Sequence, residues 1–343
     1  MIFYHFNLKA SSSHIDFVIS DEYIYCLTNN DEIEIFNVSN GISTERKIHY
    51  KSKISILTKD NHNNLIIVNE KNEVKKYIED DKSWELISKS NNEIFGIVFN
   101  SKNNCYIITT NGIEDALTQK TYFSNKSLNE QITIDKHWRN LYCHHIDRHD
   151  NIWLGYDYGE WGGNLFIFDT KLMEFATPSL GEFKIELHPI KSFFEDSTAT
   201  YLTSGLHHLF SMSGIILRFD NLKASILFES DSYFKNPKKK NNLSDLIDGE
   251  YIGPATYNSY DNSIYFYSQN GIYRGNSKKD LFTINNWDLI IKPKLNWESG
   301  QPHVTGSPMN VLKLEITEKN TIVFLTQNDG VGYYDGQSLK MLQ

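Results

Sequence analysis

Histidine and carboxylate clusters are the natural places to look for chemistry in this chain. His144, His145 and His149 lie beside Asp147 and Asp150, and a second adjacent pair, His207-His208, follows. In a strand, neighbouring side chains point to opposite faces, so neither adjacent pair can chelate one ion by itself. His145, Asp147 and His149 share a strand parity that would suit a metal, but the strand is expected to end near Asp147 and no zinc-type spacing is present. Satisfied or surface histidines are therefore expected, with no metal and no cofactor. Asp157 and Glu160 form the kind of carboxylate pair that can flank a glycosidic bond, although three residues of sequence do not fix the distance that reaction needs. There is no GxSxG elbow, HExxH, Walker loop or dinucleotide fingerprint.

Composition narrows the classes further. The 343 residues are 40% hydrophobic and 13% aromatic, enough for a sizeable core. The formal net charge of −9 argues against a general nucleic-acid binder, which needs a basic face to displace phosphate counterions, and it permits a basic protein partner. Cys26, Cys105 and Cys143 are few, odd in number and far apart, so free thiols in a reducing compartment are expected. The start, MIFYHFNLKASSS, lacks a basic n-region, and His5 and Asn7 interrupt its apolar run, so no secretory signal is expected. No apolar run reaches the roughly 18 residues a membrane helix requires. A cytoplasmic, monomeric protein with no membrane contact is the expectation.

The elements that would position any site are strands. Helical periodicity is nearly absent, while a unit of turn, strand b, short turn and strand c recurs seven times. The copies begin at Asp21, Asn63, Asn103, Asp150, Ser197, Asp261 and Lys319. Spacings of about 40 to 65 residues match blades carrying insertions. SWELI (83–87) and NWDLI (286–290) each follow a b–c unit where an outer strand d belongs, which assigns Trp84 and Trp287 to packing between blades rather than to binding.

The fourth copy carries a resemblance. Asp150-Asn151-Ile152-Trp153-x-Gly155, followed by Gly162-Gly163-x-Leu165-Phe166-x-Phe168-Asp169, resembles the repeat of regulator-type and YVTN-type β-propellers. The other copies keep the apolar alternation but lose the Trp and most glycines. The WD40 signature is not kept, since there is no Gly-His and the Trp-Asp at 287–288 is misplaced for it. SYDNSIY (259–265) keeps Ser259 and Asp261 of the sialidase-type Asp box, but Ser263 replaces its glycine and its Thr-Trp is missing. The resemblance implies an all-β fold, a single domain over 1–343. It would be a seven-bladed β-propeller with four antiparallel strands per blade around a channel. The tail SLKMLQ is weak for a fourth strand, whereas residues 2–8 alternate as a strand should. Ring closure by an N-terminal strand completing the last blade is therefore expected.

In such a ring the a–b and c–d turns share one face, and the b–c turns and d–a crossovers share the other. The b–c turn of the fourth copy, YDYGEWGG, has eight residues where two to five suffice. Three long crossovers, at 126–140, 229–255 and 292–310, fall on that same face. Together these insertions offer Trp138, Arg139, Tyr156, Asp157, Tyr158, Glu160, Trp161, Trp297, Glu298 and His303 as candidate partner-binding residues. Aromatic and arginine anchors in a charged rim have the composition of a protein-binding surface. Lys238, Lys239 and Lys240 read instead as a solvated charge run. The function that follows is non-catalytic recognition of a partner protein, of which an immunity protein neutralising a toxic effector is one specific form. A propeller hydrolase or lyase acting at the channel mouth, and a scaffold or sensor module, are the alternatives.

Overall fold

A computed structural model describes residues 13–123, 141–208, 211–230, 249–298, 301–302 and 311–343. These residues form seven four-stranded antiparallel sheets and one two-stranded ribbon, Asn296–Glu298 with Gln301–Pro302. In every sheet the strands follow chain order a-b-c-d, and six of the seven b–c units lie where the repeat places them; in blade 5 strand b runs on through Thr200–His208 and strand c is Ser211–Asp220, beyond the unit read from Ser197. In blade 4, for example, strand a is Leu141–Ile146, b is Asn151–Asp157, c is Gly163–Asp169 and d is Glu174–Ala176. The helices among the described residues are short 3₁₀ turns, and none is long and apolar enough to cross a membrane.

The hydrophobic core is a ring of seven clusters, each filling the space between two neighbouring blades. One joins Trp153, Leu165 and Ile167 of blade 4 to Phe193, Leu202 and Phe219 of blade 5. Alternation along each strand sends successive side chains to opposite neighbours, so a blade has two buried faces and its b and c strands read as apolar runs. Trp287 is buried against Phe228 of blade 5 and Phe266 of blade 6, and Trp84 packs on Tyr50 and Tyr77 between blades 1 and 2. Both tryptophans therefore do the packing their recurrence indicates.

Ring closure is carried by the contact of blade 7 with blade 1. Phe17, Ile24 and Phe36 pack on Val323, Val331 and Tyr333, and the Tyr333 hydroxyl donates to the Val38 carbonyl at 2.9 Å. Residues 2–8, expected to complete the last blade, lie outside the described residues. The described chain shows that the tail itself supplies a fourth strand, Leu339–Met341, paired with Val331–Tyr334. Three paired residues suffice there because Leu342 buries into the closing cluster and the Lys340 ammonium sits over the Tyr333 ring at 5.1 Å.

The a–b turns explain the Asp/Asn punctuation of the repeat. In blade 4, Asp147 Oδ1 accepts the amides of His149 and Asn151 at 2.8 and 2.9 Å; Asp60 in blade 2 and Asn100 in blade 3 do the same for their own turns. Three positions on, Asn63, Asn103 and Asp150 adopt left-handed backbone with φ of 62°, 60° and 68°, which Asn and Asp tolerate best after glycine. Their side chains then reach the preceding blade. Asn63 donates to Asp21 at 2.7 Å, Asn103 donates to Asp60 at 3.2 Å, and Asp150 accepts both the amide and the hydroxyl of Ser101 at 2.7 Å. A turn residue chosen for local geometry thus also ties blade to blade.

Candidate functional site

The two histidines of strand a in blade 4 face opposite neighbours, and the His145 Nε2 is buried without a hydrogen-bond partner among the described residues. His144 lies against Gly96 of blade 3, where an added Cβ would come within 2.5 Å of the imidazole, whereas His145 stands opposite Trp153 on the blade 5 side. Burial is the main cause that pushes both imidazoles down to about 4. Lys313 adds to the effect at His144, while Asp147 opposes it at His145. Asp147 is buried and also accepts the Trp153 indole N–H at 2.8 Å, so its carboxylate is fully engaged in the turn. Among the described residues no three His, Cys, Asp or Glu side chains are grouped to hold a metal. All three cysteines are free, and burial raises each thiol above its ordinary range.

The long b–c turn of blade 4 is built in two tiers. Its lower tier is structural. Tyr156, expected at the surface, is fully buried and packs edge-on against Phe166, since it still belongs to strand b and faces the core between blades 3 and 4. Tyr158 is half-buried with its ring 6.2 Å from that of Tyr156. Asp157, expected to meet basic groups of a partner, meets one of the chain's own instead. Its Oδ2 pairs with Lys191 at the start of blade 5, and its Oδ1 accepts the Gly159 amide at 2.8 Å. The Lys191 side chain is only 3% exposed, and the rings of Tyr142 and Tyr251 lie 5.1 and 5.7 Å from its ammonium.

The upper tier is the single 3₁₀ turn Gly159–Trp161. Gly162 then takes φ +85°, and a Cβ there would come within 1.7 Å of the Glu186 carbonyl, so glycine alone lets the turn seat on the crossover into blade 5. This seating leaves Trp161 76% exposed at the tip, with Glu160 also exposed and Leu187 standing in solvent one residue beyond the Gly162 contact. Asp157 and Glu160 therefore diverge, one inward and one outward, rather than forming a facing carboxylate pair.

Of the other candidates, Trp138, Arg139 and His303 lie outside the described residues. Trp297 and Glu298 are placed by their backbone in the ribbon Asn296–Glu298, whose Asn296 amide donates to Asp329 in the b–c turn of blade 7 at 2.7 Å. That ribbon and the blade 4 turn thus share the b–c face. Lys191, Tyr142 and Tyr251 carry no repeat-level signal and were not legible as site residues. A lysine in an otherwise apolar strand start, Pro189-Ile190-Lys191, was the available clue.

Four-stranded sheets in chain order, seven inter-blade cores and closure of blade 7 on blade 1 define a seven-bladed β-propeller, and comparison with solved structures agrees. The β-propeller domain of Cps50 (Swd1) from Myceliophteria thermophila is similar at 9% identity and a TM-score of 0.60, with 95% of this chain and 98% of that one covered. The Dos1 propeller is similar at 13% identity and a TM-score of 0.55, covering 96% and 82% of the two chains. The extracellular domain of a putative one-component system from B. thetaiotaomicron is similar at 12% identity and a TM-score of 0.58 over 95% of this chain. The present chain spans 39% of that domain's length. Identities this low establish the fold and nothing further. No protein family matches the chain, and no curated protein does.

Proposed function

We propose that the chain is a protein-recognition propeller that engages its partner with the b–c face, centred on the turn of blade 4. The observation that carries this reading is the exposed Trp161 on a turn whose base is fixed by the Gly162 seat and by Asp157. A large aromatic ring held in solvent on a preorganised support loses little entropy on docking, and such rings dominate interface energetics. Leu187 extends the apolar contact, and Glu160, Glu182 and Glu186, with Lys184 among them, give this quadrant a net acidic border that favours a basic segment of the partner. In its most specific form the partner is a toxic effector whose basic active site this acidic quadrant covers. Support for that form is the overall charge and the local carboxylates. Elsewhere on the face Lys51, Lys53, Lys71, Lys292 and Lys294 are exposed beside Glu70 and Glu93, so the rest of the face is of mixed charge.

The test is co-purification from the native host with three full-length variants. Trp161→Ala and Glu160→Lys should each release a stoichiometric partner, while Tyr260→Ala, which removes an 80% exposed ring on the a–b face, should not. Equal retention by all three would dismiss the blade 4 turn as the contact.

A further inference from the structure

One c–d loop departs from the other six. In blade 6, residues 277–287 separate strand c, Gly271–Asn276, from strand d, Asp288–Ile291, whereas the remaining c–d turns have two to five residues. The loop is firmly held. Leu281 and Trp287 bury into the core between blades 5 and 6, and the Trp287 indole N–H donates to the Leu281 carbonyl at 3.0 Å. The Asn286 side-chain amide donates to the Asp280 carbonyl at 2.8 Å. The Ser277 amide ties the start of the loop to the Asn262 carbonyl in the a–b turn, also at 2.8 Å. A loop of this length exceeds what the turn needs, and ordered insertions are where function concentrates.

The loop forms one wall of a cavity of about 550 Å³ on the face opposite the blade 4 turn, within the size range of small-molecule sites. Lys279, Asp280 and Asn285 line it from the loop, and Asp261, Arg274 and Asp288 from the sheet and its a–b turn. Every residue lining it is polar or charged. Its base is fixed in advance: the buried Tyr265 donates to Asp261 at 2.6 Å and stands beside Arg274, whose Nη2 lies 3.4 Å from Asp288 Oδ2. Arg274 keeps further donors, and Asp288 keeps a second oxygen. The side chains of Lys279 and Asn285 make no hydrogen bond among the described residues. These walls select by elimination. A phosphate would meet the carboxylates of Asp261, Asp280 and Asp288, a polyamine would meet Arg274 and Lys279, and an apolar group would find no apolar wall. A hydroxyl both donates and accepts, and so do these walls. We infer that the cavity binds a neutral saccharide, with Arg274 donating to one ring hydroxyl and Asp288 accepting from its neighbour. The site is separate from the recognition face proposed above and does not rest on it.

Saturation-transfer NMR titrations of the full chain provide the test. The probes are cellobiose, maltose, lactose and chitobiose, with methyl phosphate, putrescine and glutamate as charged or zwitterionic counterparts. At least one disaccharide should bind, and no counterpart should. Arg274→Ala should weaken that binding about tenfold and Asn285→Ala about threefold. Trp161→Ala should leave it unchanged. All three side chains are exposed, and thermal unfolding of each variant verifies that the fold is kept. Failure of all four disaccharides to bind, undiminished binding by Arg274→Ala, or binding of a counterpart that Arg274→Ala abolishes would overturn the saccharide site. Loss of binding on Trp161→Ala would also overturn it, placing the sugar on the blade 4 turn.

Discussion

On the a–b face the turns of blades 2, 3 and 4 commit their polar side chains to their own backbone and to the preceding blade: Asp60, Asn100 and Asp147 cap their turns, while Asn63, Asn103 and Asp150 bridge to the neighbouring sheet. On the b–c face of blade 4 the arrangement inverts. Polar contacts there, from Asp157 to Lys191 and to Gly159, serve to hold a turn whose tip, Glu160 and Trp161, stands in solvent. Both faces derive from the same repeat. The difference belongs to this one turn rather than to the whole face, since Asn69 in the b–c turn of blade 2 caps its own turn as Asp60 does, and it teaches that a braced turn can carry an exposed ring, Trp161, beyond what its own folding requires.

That contrast can be broken most forcefully at the buried ion pair. Lys191→Ala leaves the Asp157 carboxylate buried without its cation and should cost about 3–5 kcal/mol, read as a drop in the denaturant midpoint. Lys191→Met combined with Asp157→Asn should recover most of that loss. A double variant no more stable than the single one would show that the pair does not brace the turn.

On the opposite face, Asp147→Ala strips acceptors from two turn amides and from the Trp153 indole N–H, and about 2–3 kcal/mol of stability should go with them. Acid provides a comparable challenge to the inner strands. His144 and His145 are held near 4 when folded and titrate near 6.5 when unfolded, so the unfolded chain binds more protons between those values. Stability is therefore intact above about pH 6.5 and declines as pH falls toward 4, by up to roughly 3 kcal/mol for each imidazole. Unfolding measured against pH should show that decline flattened in His144→Gln and His145→Gln. The smallest effect on stability belongs to Trp161→Ala, within about 0.5 kcal/mol, although partner affinity should fall about thirtyfold. A Trp161 variant that unfolds early would mean that the tip belongs to the fold.

Much of this was legible because a repeat amplifies weak signals. One turn of Asn and Asp is ambiguous, but seven at regular spacing with alternating strands between them leave few architectures. Trp84 and Trp287 were readable for the same reason. Tyr156 misled because the end of a strand and the start of a turn look alike in sequence, and two further buried positions on strand b decide that its ring packs inward. The one-residue slips in pairing between strands a and b, between His14 and Asp16 or Leu141 and Cys143, were invisible, since each depends on which partner residue the strand meets.

By itself the sequence determined the class of fold, the number of blades, the packing tryptophans and the face that bears the surplus, because all of these follow from periodicity and turn chemistry that act over a few residues. Tertiary structure decided which members of the surplus turn point outward and that Lys191 answers Asp157 across 34 residues. Those outcomes arise from contacts between blades, where the geometry of closure sets which side chains share a space.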